Sequence, residues 1–211
     1  MKGVIVCSGS ISDYTYLHKY FDNADLVICA DGGARHLRNF GIMPDILVGD
    51  LDSISHSDYE SLKDAGIEII KFPVQKDMTD AQLAVELAIQ KGCKTVVMIG
   101  ALGSRLDHSI SNVNLLKRLL DADVKGIIAN EHNEAVLINS NICLKKEDGI
   151  KVSLLPLTTY VSGVTTKGLY YPLEDATLEI GSTWGVSNEF SDDTASVSIT
   201  DGLLLVIKSR D

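Results

Sequence analysis

Short, nearly continuous apolar runs alternate with amphipathic stretches through the first 130 residues, and this pattern most constrains the fold. The runs at 4–7, 26–29, 46–48, 67–70, 95–99 and 124–129 are of strand length and apolar on both faces. Helical patterns separate them, most clearly at 56–65, 80–91 and 109–120. The last-but-one carries its own punctuation. Thr79 precedes it as a cap, Gln82 follows three residues later, and Gly92 comes after the final turn. Strands without a polar face, joined through helices, predict an α/β fold with a parallel sheet covered by helices on both faces.

Beyond residue 130 the period changes. Segments 135–138, 151–155, 177–180, 194–199 and 203–208 are short and β-rich, with turn signals at Glu147-Asp148-Gly149, Gly181-Ser182 and Asp201-Gly202. This half predicts an all-β sandwich or roll. The joint falls in the polar stretch 130–133, giving an α/β domain over 1–130 and a β domain over 131–211.

Composition excludes several classes. The 211 residues carry a formal net charge of −10, which disfavours nucleic acid as a partner. No apolar run approaches the ~20 residues of a membrane span, and the N-terminal apolar stretch is too short for a secretory signal, so a cytoplasmic location is expected. Cys7, Cys29, Cys93 and Cys143 are scattered, with no CxxC pair, and read as small hydrophobes rather than a metal site or disulfide framework.

The acids mark the functional edge. Asp31 follows the second strand, Asp50 and Asp52 the third, Lys76, Asp77 and Asp80 the fourth, Arg105 and Asp107 the fifth. Ligands of open parallel sheets bind outside the carboxyl ends of the strands. Clustered carboxylates repel one another unless a cation joins them, and Mg²⁺ favours a few carboxylates together with substrate phosphates. Lys76 and Arg105 would then hold phosphate oxygens. Any single Asp after a strand is commonly a turn or cap residue, and Asp45 and Asp58 are read that way. Asp50-Leu51-Asp52 is read as an extended segment that points two carboxylates the same way. Gly32-Gly33 opens a helix and would let backbone N–H groups approach an anion, without forming a Walker or dinucleotide motif.

These segments resemble the thiamine pyrophosphokinase family, in its bacterial type. The resemblance is carried by Ala30-Asp31-Gly32-Gly33-Ala34, Gly49-Asp50-Leu51-Asp52-Ser53, Lys76-Asp77-Met78-Thr79-Asp80, Gly103-Ser104-Arg105-Leu106-Asp107-His108 and Gly185-Val186-Ser187-Asn188-Glu189-Phe190. It implies a Rossmann-like N-terminal domain, a C-terminal β-sandwich, and transfer of a pyrophosphoryl group from ATP to thiamine with Mg²⁺, in a homodimer. It further implies that Asp50, Asp52 and Asp80 hold metal, and that Asp31, Gly32, Lys76, Arg105 and Asp107 line the nucleotide and transfer site. Ser187 and Asn188, with Trp184 nearby, would form the thiamine pocket. Trp184 suits either a cationic ring or the sandwich core or an interface. Asp80 and Asp107 both stand as acceptors of the hydroxyl proton. Two rivals use the same acids: a metal-dependent phosphohydrolase and a non-catalytic nucleotide sensor.

Overall fold

A computed structural model of the chain describes residues 1–73, 75 and 77–210. It divides into two compact units, Met1–Glu131 and His132–Asp211. In the first unit the strands are β1 (Lys2–Val6), β2 (Leu26–Ala30), β3 (Ile46–Gly49), β4 (Glu68–Lys71), β5 (Thr95–Ile99) and β6 (Lys125–Ala129). All pair in parallel, in the order β4-β3-β2-β1-β5-β6. The helices are α1 (Tyr14–Leu17), α2 (Ala34–Phe40), α3 (His56–Asp64), α4 (Asp80–Gln90) and α5 (Leu106–Asp121).

Strand alternation sorts the core. Val4, Val6, Val27, Cys29, Leu47, Val97 and Ile99 pack with Leu17, Leu37, Phe40 and Leu62 from α1 to α3. Helix α4 packs on β1, β2 and β3, and α5 on β6, burying Leu83, Val85, Leu116 and Leu119. Gly126 permits the close seat of α5, because a Cβ there would lie 2.8 Å from Leu119 and 2.9 Å from Leu116. Each large chain buried in this way contributes on the order of 1.5–3 kcal/mol relative to exposure. Edge strand β4 is only half-buried, unlike the central strands.

Helix boundaries follow the local signals. The Thr79 hydroxyl accepts from Gln82 N at 3.2 Å, and Gly92 (φ 83°) follows α4 in the left-handed region. Ser55 caps α3, and Asp58 accepts from the Ser55 hydroxyl (2.7 Å) while pairing with Arg38 at 2.6 Å. Asp45, just before β3, accepts from Val27 N of β2 at 2.7 Å, so it ties two strands together rather than capping a turn. Helix α5 begins at Leu106, three residues before the expected start. Ser109 stabilises that first turn, its hydroxyl bonding both to Gly103 N (3.1 Å) and to the Arg105 carbonyl (3.1 Å).

The second unit contains no helix among the described residues. One antiparallel sheet runs β7 (Asn133–Ile138), β14 (Leu204–Ser209), β9 (Lys151–Pro156) and β12 (Asn188–Glu189). The other runs β11 (Ala176–Glu179), β10 (Tyr160–Lys167), β13 (Thr194–Ser198) and β8 (Asn141–Lys145). Val152, Leu154, Leu204 and Val206 are buried in the first sheet, and Val161, Val164, Leu178 and Val197 in the second. The half-buried Lys208 bonds Glu147 (2.8 Å) and Glu134 (3.2 Å), closing one end with charge.

Gly33 tests how tightly β1 and α2 are joined. A Cβ there would overlap the main-chain carbonyl of Val6, which cannot swing aside. Gly33→Ala is therefore expected to cost about 1–3 kcal/mol, read as a lower urea midpoint at unchanged m. An unchanged midpoint would refute the close-approach account.

Candidate functional site

The strand order reverses direction at β1, which has β2 on one side and β5 on the other. Loops leaving β1 and β5 part there, the position at which open α/β sheets bind ligands. A cleft of about 560 Å³ opens at this edge, lined by the loop ends after β1, β2, β3 and β5 and the start of α4. Asp31, Asp50, Asp52, Asp80 and Arg105 all line it, so five residues singled out from sequence converge on one cavity.

Three carboxylates form the tightest group: oxygens of Asp31, Asp50 and Asp52 lie within 4.8 Å of one another. Asp31 is 5% exposed and sits at φ 43°, a left-handed conformation that Asp tolerates better than most residues. One of its oxygens accepts from Ser53 N at 3.2 Å, while Oδ1 is buried without a hydrogen-bond partner among the described residues. Asp80 stands close by. A Cβ on Gly49 would lie 2.9 Å from Asp31 Cβ and 3.0 Å from Asp80 Oδ1, so only glycine fits between them. Burial pushes the Asp31 carboxyl up from its ordinary range, the Ser53 bond opposes this, and the charges of Asp80, Asp50 and Asp52 push it further up. An orphaned buried oxygen inside an all-oxygen donor set is what a hard divalent cation fits.

The convergence of Asp50 and Asp52 does not arise from an extended segment. Strand β3 ends at Gly49, and Leu51 adopts φ 68°. The intervening residue reverses the chain, and Asp50 Oδ1 accepts from Asp52 N at 3.3 Å. A left-handed leucine is strained, and the turn around it brings the two carboxylates together.

Asp107 stands apart from that group. It lies in the first turn of α5, paired with Arg105 at 2.6 Å and held down to about 2 by the Arg105 hydrogen bond. A carboxylate held that low is a weak proton acceptor. Lys76 lies outside the described residues. Gly32 and Gly33 are buried. A Cβ on Gly32 would press on Ser8 and Ser53, so close packing accounts for both glycines. His108 lines the cleft.

Further cleft residues were not singled out from sequence. Ser8-Gly9-Ser10 forms the loop after β1, with Gly9 N donating to the Gly100 carbonyl (2.7 Å) and Ser10 N to the Leu102 carbonyl (2.9 Å). Arg35 lines the same wall, and Asn112, buried on α5, donates to the Ala101 carbonyl at 2.7 Å. The signal available was a Ser-Gly-Ser turn directly after the first strand.

In the second unit, Ser187 sits at φ 61° with its N–H donating to the Ser153 hydroxyl at 3.0 Å. Asn188 was expected to meet substrate, but its side chain is buried and committed to main chain. Its oxygen accepts from Tyr171 N (3.0 Å) and Glu189 N (2.9 Å), and its nitrogen donates to the Tyr171 carbonyl (2.7 Å). Asn188 thus clamps the turn that carries Tyr170 and Tyr171, whose exposed rings meet edge to face at 4.9 Å. Trp184 is 56% exposed, which rules out a place in the sandwich core.

Comparison with known proteins gives a consistent result. The family model described as "Thiamin pyrophosphokinase, catalytic domain" matches residues 17–128, and "Thiamin pyrophosphokinase, vitamin B1 binding domain" matches 139–204. The chain is 28% identical to thiamine pyrophosphokinase of Bacillus subtilis over 209 residues, covering 98% of each. A crystal structure of the Bacillus subtilis protein superposes with a TM-score of 0.91 at 27% identity over the whole of both chains. A structure of thiamin pyrophosphokinase from Candida albicans, at 18% identity and a TM-score of 0.85 over 99% of this chain and 88% of that one, shares the fold.

The carboxylate group predicts a pH and cation response. Because the folded Asp31 carboxyl is raised, its contribution to stability is full below the ordinary aspartate value and is lost as pH rises through the folded value. Metal-free protein should therefore lose stability across that window, and MgCl₂ should restore it. Asparagine tolerates the left-handed backbone and places an N–H₂ toward the neighbouring acids. Asp31→Asn is expected to raise the metal-free Tm at neutral pH by about 2–4 °C, the scale of 1 kcal/mol at this length, while abolishing the Mg²⁺-induced rise. Scanning calorimetry decides, and a variant that still gains stability from Mg²⁺ would refute the donor set.

Proposed function

Since the chain belongs to the thiamin pyrophosphokinase family, we propose that it transfers the pyrophosphoryl group of ATP to the primary hydroxyl of thiamine, giving thiamine diphosphate and AMP. The observation that carries the site assignment is the orphaned Asp31 oxygen beside Asp50 and Asp52 in the cleft at the strand reversal. Asp31, Asp50 and Asp52 would hold Mg²⁺, with Asp80 at the margin of the group. Bound there, the cation neutralises phosphate charge and relieves the repulsion among the acids.

The residues of the chain position and discharge the reactants. The thiamine hydroxyl oxygen forms a bond to the β-phosphorus of ATP, and the bond from that phosphorus to the α-phosphate oxygen breaks, releasing AMP. The hydroxyl proton passes to Asp80, which lines the cleft, whereas Asp107 is not among the residues lining it. Arg105 turns from Asp107 to the transferring phosphate oxygens, an exchange of one anion for another at an exposed pair. Orientation and charge stabilisation supply most of the acceleration in such transfers.

The first unit is the ATP and Mg²⁺ domain and the second the thiamine domain. Exposed Trp184, Tyr170 and Tyr171 offer aromatic faces to a cationic ring, the two tyrosines on a turn held by Asn188. The family reading carries a homodimer as the working assembly. The cytoplasm is the working compartment. All four cysteines are free thiols, as a reducing compartment keeps them.

Asp52→Asn tests the assignment. Thiamine-dependent AMP formation is expected to fall by about 100-fold or more in a variant with unchanged circular dichroism. Near-normal turnover would sink it. Mass spectrometry with each reactant omitted separates the rivals: AMP without thiamine marks a hydrolase, and binding without turnover a sensor.

A further inference from the structure

We propose that Arg35 is a nucleotide-anchoring residue, whose guanidinium holds the phosphate that leaves as the terminal group of the nucleoside monophosphate. The proposal rests on the pyrophosphoryl-transfer reading and goes beyond it by assigning the leaving-group side of the cleft.

Among the described residues lining the cleft, Arg35 and Arg105 are the arginines, set against Asp31, Asp50, Asp52 and Asp80. The two cations are in different states. Arg105 presents its fork to Asp107 through Nε (3.2 Å) and Nη2 (2.6 Å), so its charge is already compensated. Arg35 donates from Nη2 to the carbonyls of Ser8 and, at 3.1 Å, Gly9. Those acceptors are neutral. They orient the guanidinium without cancelling its charge, and they leave Nε–H and the Nη1 hydrogens for an anion.

The seat itself is rigid. Besides the two bonds that tie Gly9 and Ser10 to the β5 loop, the Gly9 carbonyl bonds His36 Nε2 at 2.8 Å. A carbonyl only accepts, so Nε2 carries the proton and Nδ1 accepts from the Tyr14 hydroxyl at 2.8 Å. That hydroxyl in turn accepts from Asn39 Nδ2 at 2.9 Å. His36 is 4% exposed and buried as the neutral ring, so this chain runs in one direction and fixes the loop.

The chemistry calls for such a group. Breaking the bond between the β-phosphorus and the bridging oxygen leaves an additional negative charge on the departing phosphate. The acids across the cleft repel that charge, whereas a preset guanidinium stabilises it as it develops. The ligand class is therefore a nucleoside phosphate held through its phosphate, independently of the cation.

The test is calorimetric binding of AMP to the full chain without Mg²⁺, at rising KCl, for wild type, Arg35→Met and Arg35→Lys. Arg35→Met is expected to weaken AMP roughly tenfold or more, to flatten the dependence on KCl, and to raise KM for ATP without moving KM for thiamine. Arg35→Lys should recover the salt dependence with part of the affinity. Wild-type AMP affinity in Arg35→Met overturns the assignment. So does weakened binding that keeps the wild-type salt dependence, because a merely loosened loop would behave that way. A wild-type chain that binds AMP but forms no thiamine diphosphate overturns the transfer reading and leaves Arg35 as the phosphate anchor.

Discussion

Mutual repulsion among carboxylates gathered at one sheet edge is the constraint around which the first unit is built. Asp31 is buried, keeps one oxygen without a partner, and faces the charges of Asp80, Asp50 and Asp52. A chain selected for stability alone would not retain this arrangement, since an uncompensated buried acid costs on the order of 1–3 kcal/mol. The fold enforces it with backbone conformations that are themselves costly: a left-handed Asp31, a left-handed Leu51, and a glycine at 49 where no side chain would fit. Strain and repulsion fall in the same few residues, a combination that clusters at binding sites more than in packed cores.

The two units divide the physical problem. The first is a parallel sheet whose central strands are buried, leaving the strand ends for polar chemistry. The second confines its core between two antiparallel sheets and displays aromatic side chains at its turns. There Asn188 acts through the main chain of Tyr171, so a conspicuous polar residue of the sequence serves to shape a turn.

Much of the first unit was legible because its signals are local. Fully buried strands are apolar without interruption, and Thr79, Gln82 and Gly92 announce α4 within its own segment. The acids at strand ends were legible because a parallel sheet brings sequence-distant strand ends to one edge. What escaped depended on pairing and side-chain geometry that the local pattern does not carry. Strand β10, Tyr160–Lys167, is rich in Ser, Gly and Thr and is recognisable as a strand only beside β11 and β13. Strand β12 is two residues long. Asp107 looked equivalent to the other acids until Arg105, two residues away, was seen to hold it. Arg35 drew no notice because its acceptors are carbonyls, which sequence does not distinguish.

The loop after β1 is held to the loop after β5 by Gly9 N to Gly100 O and Ser10 N to Leu102 O, contacts between peptide groups. Peptide groups are the same whatever side chain is attached. A seat assembled from them tolerates substitution all around it, provided the tight spots stay free of a Cβ. Fewer than a third of positions agree with the Bacillus subtilis structure, yet the two chains superpose along their whole length. The tethering through main chain offers a physical route to that outcome: side chains are free to drift while the path of the backbone is kept.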